Sequence, residues 1–319
     1  MNLILIGNSK FLVDCYNGFK KNKFKKIIIV SLIKSLQPNN SYNLKKFAEK
    51  RNLLFHETHD INSNKTLKFL KSVQPDVIFS SWPQILKKKI IELPKIAVIG
   101  SHPTDLPLNR GRHPLHWLIA MGNNKSALSF YIMDEKIDNG AIITKIKFNI
   151  SKSDNIKILE NKIGKIAVKA CEKIGKQILI NQLPKTKQKV SESNYLRKRN
   201  LTDLLINLKM TYNSIKLLVN SFTKPYEGSI LIIQDKILRV SRITEIKNKG
   251  MGNIEIGKIL KIDQSYVVTR CQDAIIKINF YSKYRYRKNK ISYIYDPLYY
   301  ILKSKKLFMK ISNLLDKNK

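Results

Sequence analysis

The sequence predicts an α/β protein with a Rossmann-like, doubly wound, mostly parallel sheet, followed by a smaller β-rich domain. Three observations predict this. Short apolar runs of strand length alternate with polar stretches long enough for helices in the first half, which is the pattern of βαβ units. From Ser229 to Phe280, strand-like runs are separated by glycines, as in small antiparallel sheets. The 319 residues also exceed the usual single domain of about 100–200 residues.

Five apolar runs of the first half are predicted to be parallel strands, because strands covered on both faces are hydrophobic throughout. They are Leu3–Ile6, Lys26–Leu32, Leu53–His56, Asp76–Phe79 and Ile96–Ile99. Gly7 follows the first run without the further glycines of a dinucleotide fingerprint, so NAD binding is not predicted. Ligands of open α/β sheets bind at the carboxyl ends of the strands. The segment after Ile99 is therefore the candidate site.

Two more strands, Ala127–Ile132 and Ala141–Ile146, are predicted on either side of a turn at Asp134–Gly140, and an amphipathic helix at Asp154–Leu183 completes this half. The second domain is predicted to contain four strands. They are Ile230–Ile233, Ile237–Val240, Val267–Thr269 and Ala274–Ile278. We predict a catalytic domain at residues 1–185, a linker at 186–200, a barrel-like domain at 201–280 and a basic, tyrosine-rich tail at 281–319.

The net charge of +37, from 60 Lys and Arg against 23 Asp and Glu, favours contact with polyanions or anionic membranes. The lysines are scattered rather than patterned, so a general drift in composition explains much of the excess. In the tail, Tyr284–Lys288 interleaves rings and cations as single-strand binders do, whereas Leu298–Leu315 has the apolar spacing of a helix packed on the protein. A nucleic-acid or membrane-surface binding protein on an inactive enzyme fold thus stays open.

Cysteine and histidine usage predicts a cytoplasmic protein without a metal site. The three cysteines form no C-x-x-C motif: Cys15, Cys171 and Cys271. The chain starts with an apolar run too short for a signal peptide and lacks a basic n-region. Two histidine pairs have the i, i+3 spacing of one helical face: His56 with His59, and His113 with His116. No cysteine or H-E-x-x-H motif accompanies either pair, so no metal is predicted.

The segment Gly100–Ile142 resembles the active-site signature of the formyltransferases that use N10-formyltetrahydrofolate. The family pattern is Asn-x-His, a loop ending in Leu-Pro, Arg-Gly, an aromatic-bearing helix and an Asp-x-Gly turn. The matching residues, in order, are His102, Leu106-Pro107, Arg110-Gly111, Trp117 and Asp138-Asn139-Gly140. The histidine and the aspartate are 36 residues apart, which suits the resemblance. The resemblance implies the formyltransferase fold with an OB-like C-terminal domain, and N10-formyltetrahydrofolate as the one-carbon donor.

Weaker similarities extend the resemblance along the chain. Tyr195–Arg199 is similar to the linker motif of these enzymes, and Pro225–Gly228 is similar to the start of their C-terminal barrel. The resemblance implies a set of folate-binding residues after the fourth strand and before the turn. They are Ser81, Trp82, Pro83, Gln84, Ile85, Leu86 and Met133. For Trp82, packing in the core stays open beside ligand contact.

The resemblance assigns the catalytic roles to His102 and Asp138. The imidazole exchanges protons or supports the oxyanion, and the carboxylate orients it or accepts the amine proton. The family asparagine is replaced by Gly100, which has no side chain to donate to that oxyanion. A backbone N–H of residues 100–102, the Ser101 side chain or Asn109 are the candidate replacements, and an inactive member of the family is the alternative.

The resemblance implies two main acceptors, an amino sugar that is usually nucleotide-linked and methionyl initiator tRNA, and another amine stays open. tRNA-formylating members carry a basic insertion after the second strand, whereas Ser31–Ser41 contains one lysine here. Arg112-His113-Pro114 after the Arg-Gly is more similar to the sugar-modifying branch, which we therefore favour. Arg110 and Arg112 either buttress the loop through carbonyl contacts or bind the anionic acceptor as substrate-binding residues. Homodimer formation and contact of the tail with a membrane surface stay open.

Overall fold

The computed structural model describes residues 1–38, 40–234, 236–247, 253–284, 292–303 and 309–310. These residues form two compact units. The first comprises Met1–Pro114, Asn124–Ile150 and Ile158–Arg197, and the second comprises Leu115–Asn123, Ser151–Lys157 and the described part of Lys198–Lys319.

The first unit is built on a seven-stranded sheet. Its strands are β1 (Asn2–Gly7), β2 (Lys26–Leu32), β3 (Leu54–Thr58), β4 (Val77–Ser81), β5 (Ala97–His102), β7 (Lys125–Ile132) and β8 (Ile142–Asn149). Their order in the sheet is β3-β2-β1-β4-β5-β7-β8. β1 to β5 pair in parallel, and β7 and β8 are antiparallel additions at one edge. A separate two-stranded parallel pair joins β6 (Arg110–Gly111) to β9 (Tyr195–Leu196). The predicted doubly wound, mostly parallel sheet is confirmed.

The strands of this sheet could be predicted from their apolar runs because their residues are buried on both faces of the sheet. Leu3, Ile4, Leu5 and Ile6 of β1 are all fully buried. Each predicted strand overlaps an observed one and differs by at most three residues at either end. One extension concerns the candidate site, since β5 continues beyond Ile99 through Gly100 and Ser101 to His102, where it pairs with β7.

The α-helices within the described residues are α1 (Lys10–Phe19), α2 (Leu44–Glu49), α3 (Asn64–Val73), α4 (Lys88–Ile91), α5 (Pro114–Ala120), α6 (Ile156–Leu179), α7 (Tyr212–Asn220) and α8 (Pro297–Lys303). The Ser63 hydroxyl caps α3 by accepting from the Thr66 N–H. None of the described helices is long and apolar enough to cross a membrane.

The cysteines are buried in the structure, and two of them are neighbours. Cys15 on α1 and Cys171 on α6 both have no exposed surface. Burial, followed by the hydrogen bond and charge of Cys171, raises the pKa of the Cys15 thiol well above its usual value. The Cys15 thiol is therefore held as a neutral, apolar packing group.

The second unit contains a five-stranded antiparallel sheet with the order β10-β11-β14-β13-β12. The strands are β10 (Ser229–Ile233), β11 (Lys236–Ile246), β12 (Ile259–Ile262), β13 (Tyr266–Arg270) and β14 (Ile275–Phe280). β12 was not predicted, because its run is only four residues long and Lys261 interrupts its apolar residues. The predicted β-rich C-terminal domain is confirmed. In the tail, Tyr284 is buried and α8 begins one residue before the predicted helix, while Arg285–Lys288 lies outside the described residues.

Candidate active site

The last residue of β5 places an imidazole at the carboxyl end of the sheet. His102 is 5% exposed, and its Nε2 lies 2.8 Å from the carbonyl oxygen of Asn109. Because a carbonyl oxygen only accepts hydrogen bonds, Nε2 carries a proton in this arrangement. The Nδ1 atom faces the carboxylate of Asp138, with 3.5 Å to Oδ2. Nδ1 is therefore the ring nitrogen that can gain and lose a proton, and Asp138 stabilises the charge that results.

Both oxygens of the Asp138 carboxylate accept hydrogen bonds. Oδ2 accepts from the backbone N–H of Gly111 at 2.9 Å, and Oδ1 accepts from the Tyr131 hydroxyl at 2.7 Å. Asp138 also adopts φ = 49°, a left-handed conformation that a residue other than glycine holds only when its surroundings enforce it. The carboxylate thus has a fixed orientation beside His102.

A buried arginine and a glutamine tie the Asp138 turn to the loop after β5. The Gln188 amide nitrogen donates to the carbonyl oxygens of Asp138 (3.0 Å) and Gly140 (2.7 Å), and its oxygen accepts from Nη2 of Arg110 at 2.8 Å. Nη1 of Arg110 lies 3.2 Å from the Tyr195 hydroxyl. The stretch predicted as a linker therefore supplies two supports of this site.

The structure separates the two arginines that were expected to share one role. Arg110 has no exposed surface, and its guanidinium is engaged by Gln188 and Tyr195. This corrects the substrate-binding expectation for Arg110 and favours the buttressing alternative, made through side chains rather than through carbonyls. Arg112 is exposed, so contact with an anionic acceptor stays a prediction for that residue.

The space that a side chain at position 100 would fill is already occupied. A Cβ on Gly100 would lie 2.8 Å from Cζ of Tyr131 and 2.9 Å from Cγ of Met133. Ser101 is the neighbour of Gly100 on a strand, so its side chain points to the opposite face. The amide oxygen of Asn109 accepts from Asn194 at 2.9 Å. The Ser101 side chain is thus directed elsewhere, whereas the bond of Asn109 uses its oxygen, so its amide nitrogen stays a predicted replacement for the missing donor.

The predicted folate-binding segment after β4 divides into a core part and an exposed part. Leu86 is 2% exposed and packs in the core with Ile78 and Val98, which corrects its expected ligand contact. Trp82 packs against the same cluster, and its indole N–H donates to Gln84 at 3.1 Å. The remaining members are partly or fully exposed: Ser81, Pro83, Gln84 and Ile85.

A cavity of about 420 Å³ adjoins the Asp138 turn. It is lined by α4 and by the residues that follow β7, which are Lys88, Ile91, Glu92, Met133, Asp134, Glu135, Lys136 and Asn139. Its volume lies within the range of about 300–1,000 Å³ found for small-molecule sites. Met133 is the predicted folate-binding residue that lines it.

Some functional residues escaped the sequence analysis. Tyr131, Gln188 and Asn194 contact the site from positions that carry no local motif. The one indirect signal was the glycine at position 100, where the family pattern has asparagine. A missing side chain inside a packed site implies that another group fills the space. Trp117, expected near the site, belongs to the second unit, where the Arg199 guanidinium lies 4.9 Å from its ring.

One histidine of each predicted pair, His56 and His116, is engaged in packing. His56 stacks on Phe69 with 4.0 Å between ring centroids, and Nδ1 of His116 lies 2.6 Å from the carbonyl oxygen of Ser221. Among the residues that the structure describes, no group of three or more His, Cys, Asp or Glu side chains is arranged to hold a metal ion.

Comparison with known proteins places this site among relatives of one kind. The formyl transferase family model matches residues 1–173, and the formyl transferase C-terminal domain model matches residues 201–290. The bifunctional polymyxin resistance protein ArnA of Wigglesworthia glossinidia brevipalpis is 29% identical over 215 residues, which are 66% of this chain and 33% of that protein, so the chain spans about a third of its length.

Two further relatives match along most of their length. Methionyl-tRNA formyltransferase of Thermotoga maritima is 22% identical over 291 residues, covering 88% of this chain and 90% of the relative. The solved structure of WlaRD, a sugar 3N-formyl transferase studied with dTDP and 5-N-formyl-THF, has a TM-score of 0.67 at 20% identity and covers 89% of this chain and 99% of its own. At this identity the structural likeness shows a shared fold.

Proposed function

The chain belongs to the formyl transferase family, and we propose that it transfers the formyl group of N10-formyltetrahydrofolate to the primary amine of a nucleotide-linked amino sugar. The observation that carries this proposal is the pair of buried His102 and mostly buried Asp138, with 3.5 Å between Nδ1 and Oδ2 at the carboxyl end of β5. In the proposed reaction this pair is the catalytic machinery, and the donor and the acceptor meet beside it.

The chemistry of formyl transfer needs one proton to leave and another to arrive. The acceptor amine attacks the formyl carbon, a tetrahedral oxyanion forms, the amine loses a proton and the departing folate nitrogen gains one. Nδ1 of His102 is placed to take and return the proton, because Nε2 is committed to the Asn109 carbonyl. Asp138 stabilises the imidazolium and keeps the ring oriented, as carboxylates do in other histidine-based sites.

The cavity beside the Asp138 turn is the proposed site for the pterin end of the donor. Asn139, the neighbour of Asp138 in sequence, lines it, and so does Met133, whose Cγ lies against Gly100. Exposed Ile85 and half-buried Trp82 supply apolar surface after β4 for the same ligand. A donor held there would present its formyl group toward the pair.

An amino-sugar nucleotide is favoured as acceptor by the residues around the site. Arg112 is exposed directly after β6, where a guanidinium can bind a pyrophosphate through paired hydrogen bonds. Ser31–Ser41, where tRNA-formylating members carry a basic insertion, has one lysine. WlaRD, named as a sugar formyltransferase and studied with dTDP, matches along 99% of its chain.

Methionyl initiator tRNA is the second candidate acceptor. The net charge of +37 suits a polyanionic substrate, and the Thermotoga maritima relative is a methionyl-tRNA formyltransferase. A tRNA has to be bound through many phosphates, whereas a pyrophosphate is bound by a few side chains. The two acceptors therefore differ in how their turnover responds to salt.

A competition experiment tests the acceptor. Purified protein and N10-formyltetrahydrofolate are given methionyl-tRNA together with dTDP-, UDP- and GDP-linked amino sugars, and mass spectrometry identifies the formylated amine. We expect a formylated sugar nucleotide, with a rate that changes little with salt. Efficient formylation of methionyl-tRNA without turnover of any sugar would overturn this choice. Protein with His102→Ala serves as the control and is expected to formylate neither acceptor.

A further inference from the structure

Gly100 and Tyr131 form a cross-strand pair beside the catalytic residues. They are direct partners in the antiparallel register of β5 and β7, so the Tyr131 side chain lies on the same face as position 100. His102 is two residues farther along β5 and shares that face. One face of two paired strands thus brings together a tyrosine, a position without a side chain and the catalytic imidazole.

The tyrosine ring uses the volume that glycine leaves. A Cβ at position 100 would lie 2.8 Å from Cζ and 3.0 Å from the hydroxyl oxygen of Tyr131, closer than real Cβ contacts come. Tyr131 is 4% exposed and is packed by Leu106 and Ile142 from its other sides, so it has little room to yield. The present position of Tyr131 therefore excludes any side chain at residue 100.

The Tyr131 hydroxyl is bonded to the catalytic carboxylate. It lies 2.7 Å from Oδ1 of Asp138, and it is the donor because an ionised carboxylate only accepts. Burial raises the pKa of the Tyr131 phenol well above its usual value, and the charge of Asp138 raises it further. The phenol accordingly keeps its proton at neutral pH.

We propose that Tyr131 is a positioning residue for formyl transfer, whose hydroxyl fixes the Asp138 carboxylate against His102, and that Gly100 is required to make room for it. This inference rests on the proposed catalytic pair and is independent of which acceptor is used. The Gly111 N–H holds Oδ2, and the Tyr131 hydroxyl holds Oδ1. With the Tyr131 hydroxyl removed, Oδ1 is no longer held, and the carboxylate can turn about its remaining hydrogen bond to Gly111, which moves Oδ2 away from Nδ1.

Replacement of the tyrosine by phenylalanine separates positioning from packing, because Tyr131→Phe keeps the ring and deletes the hydroxyl. We expect kcat to fall about 10- to 100-fold, as for loss of one charge-assisted hydrogen bond, with both KM values within about threefold of wild type. Tyr16→Phe is the matched control, since Tyr16 is a buried tyrosine of the same unit that packs on Phe47 away from the site. It should leave kcat unchanged. Full kcat in Tyr131→Phe protein would overturn the proposal.

The role of Gly100 is tested in two backgrounds. Gly100→Ala should lower kcat at least about 10-fold in the wild-type background, because the methyl group displaces the ring and its hydroxyl. In a Tyr131→Ala background, the same change should cost less than about threefold, since the contact with the ring is gone and the flexible Met133 side chain, the other close neighbour, can shift into the space that the ring leaves. An equal loss in both backgrounds would show that Gly100 does not serve Tyr131.

Failure of this inference can be told apart from failure of the proposed function. If wild-type protein formylates methionyl-tRNA instead of a sugar, the acceptor proposal fails and the Tyr131→Phe comparison is made unchanged on tRNA. A crystal structure of Tyr131→Phe protein needs no acceptor at all. We expect it to show the Asp138 carboxylate rotated from its present contact with His102, and an unchanged separation of 3.5 Å between Nδ1 and Oδ2 would contradict the positioning role.

Discussion

Arg110→Ala should lower the stability of the protein, whereas Arg112→Ala should weaken acceptor binding and leave the stability unchanged. Arg110 is fully buried and donates to Gln188 and Tyr195. Its removal deletes two hydrogen bonds, strands the Gln188 oxygen and opens a cavity, which together cost about 3–5 kcal/mol of unfolding free energy. For a protein of this size, about 2–4 °C of Tm is lost per kcal/mol, so Arg110→Ala should melt about 6–20 °C lower than wild type.

Arg112→Ala is the matched comparison, because the Arg112 side chain is exposed on the same loop. Its unfolding free energy should stay within about 0.5 kcal/mol of wild type. If the guanidinium binds the acceptor pyrophosphate, KM for the acceptor should rise about 10-fold while kcat changes little. Thermal melts followed by initial-rate kinetics measure both effects. An Arg110→Ala protein with wild-type Tm and a raised acceptor KM would refute the buttressing role and return Arg110 to the substrate.

Three further measurements follow from the geometry. Gly111→Ala should lower Tm, because Gly111 has φ = 101° and an added Cβ would clash with the Leu196 carbonyl oxygen. It should also lower kcat, because the Gly111 N–H donates to the Asp138 carboxylate. Unchanged kinetics and Tm would contradict both expectations. Turnover of a sugar nucleotide should show a shallow log–log salt slope, and a slope approaching one unit for each of many phosphates would indicate tRNA instead. Burial and Lys65 lower the pKa of His56, so the unfolding free energy is highest above the unfolded-state pKa of this residue and decreases as the pH falls from there through the lower folded-state pKa. His56→Phe, which retains stacking on Phe69, should therefore lose less unfolding free energy than wild type between about pH 7 and 5, as urea titrations would show.

The fold was predictable from the sequence wherever burial alone decides the structure. β1 and β2 are covered on both faces, so their apolar runs coincide closely with the observed strands. β5 was predicted to end at Ile99, because Gly100, Ser101 and His102 carry no hydrophobic signal. These three residues are strand because of their pairing with β7, which is a long-range effect that local composition does not record.

The candidate site was predictable in its catalytic pair and not in its supports. His102 and Asp138 follow from a motif whose spacing is visible in one sequence, and the structure brings them within 3.5 Å. Gln188 contacts Asp138 from 50 residues away, and Tyr131 contacts it from the preceding strand. In the sequence, Gln188 looks like any polar loop residue and Tyr131 looks like any aromatic residue of a strand. The role of Arg110 depended on which side of the loop is buried, which is a tertiary property.

Turnover by His102→Ala and Asp138→Ala proteins is the most direct measurement of whether this pair performs formyl transfer. Each variant is assayed with N10-formyltetrahydrofolate and the acceptor that wild-type protein formylates, and its fold is checked by thermal melting and circular dichroism. We predict a loss of at least about 100-fold in kcat for each, the usual scale of positioned acid–base catalysis. A folded variant of either kind that keeps nearly full turnover would contradict the assignment of the site.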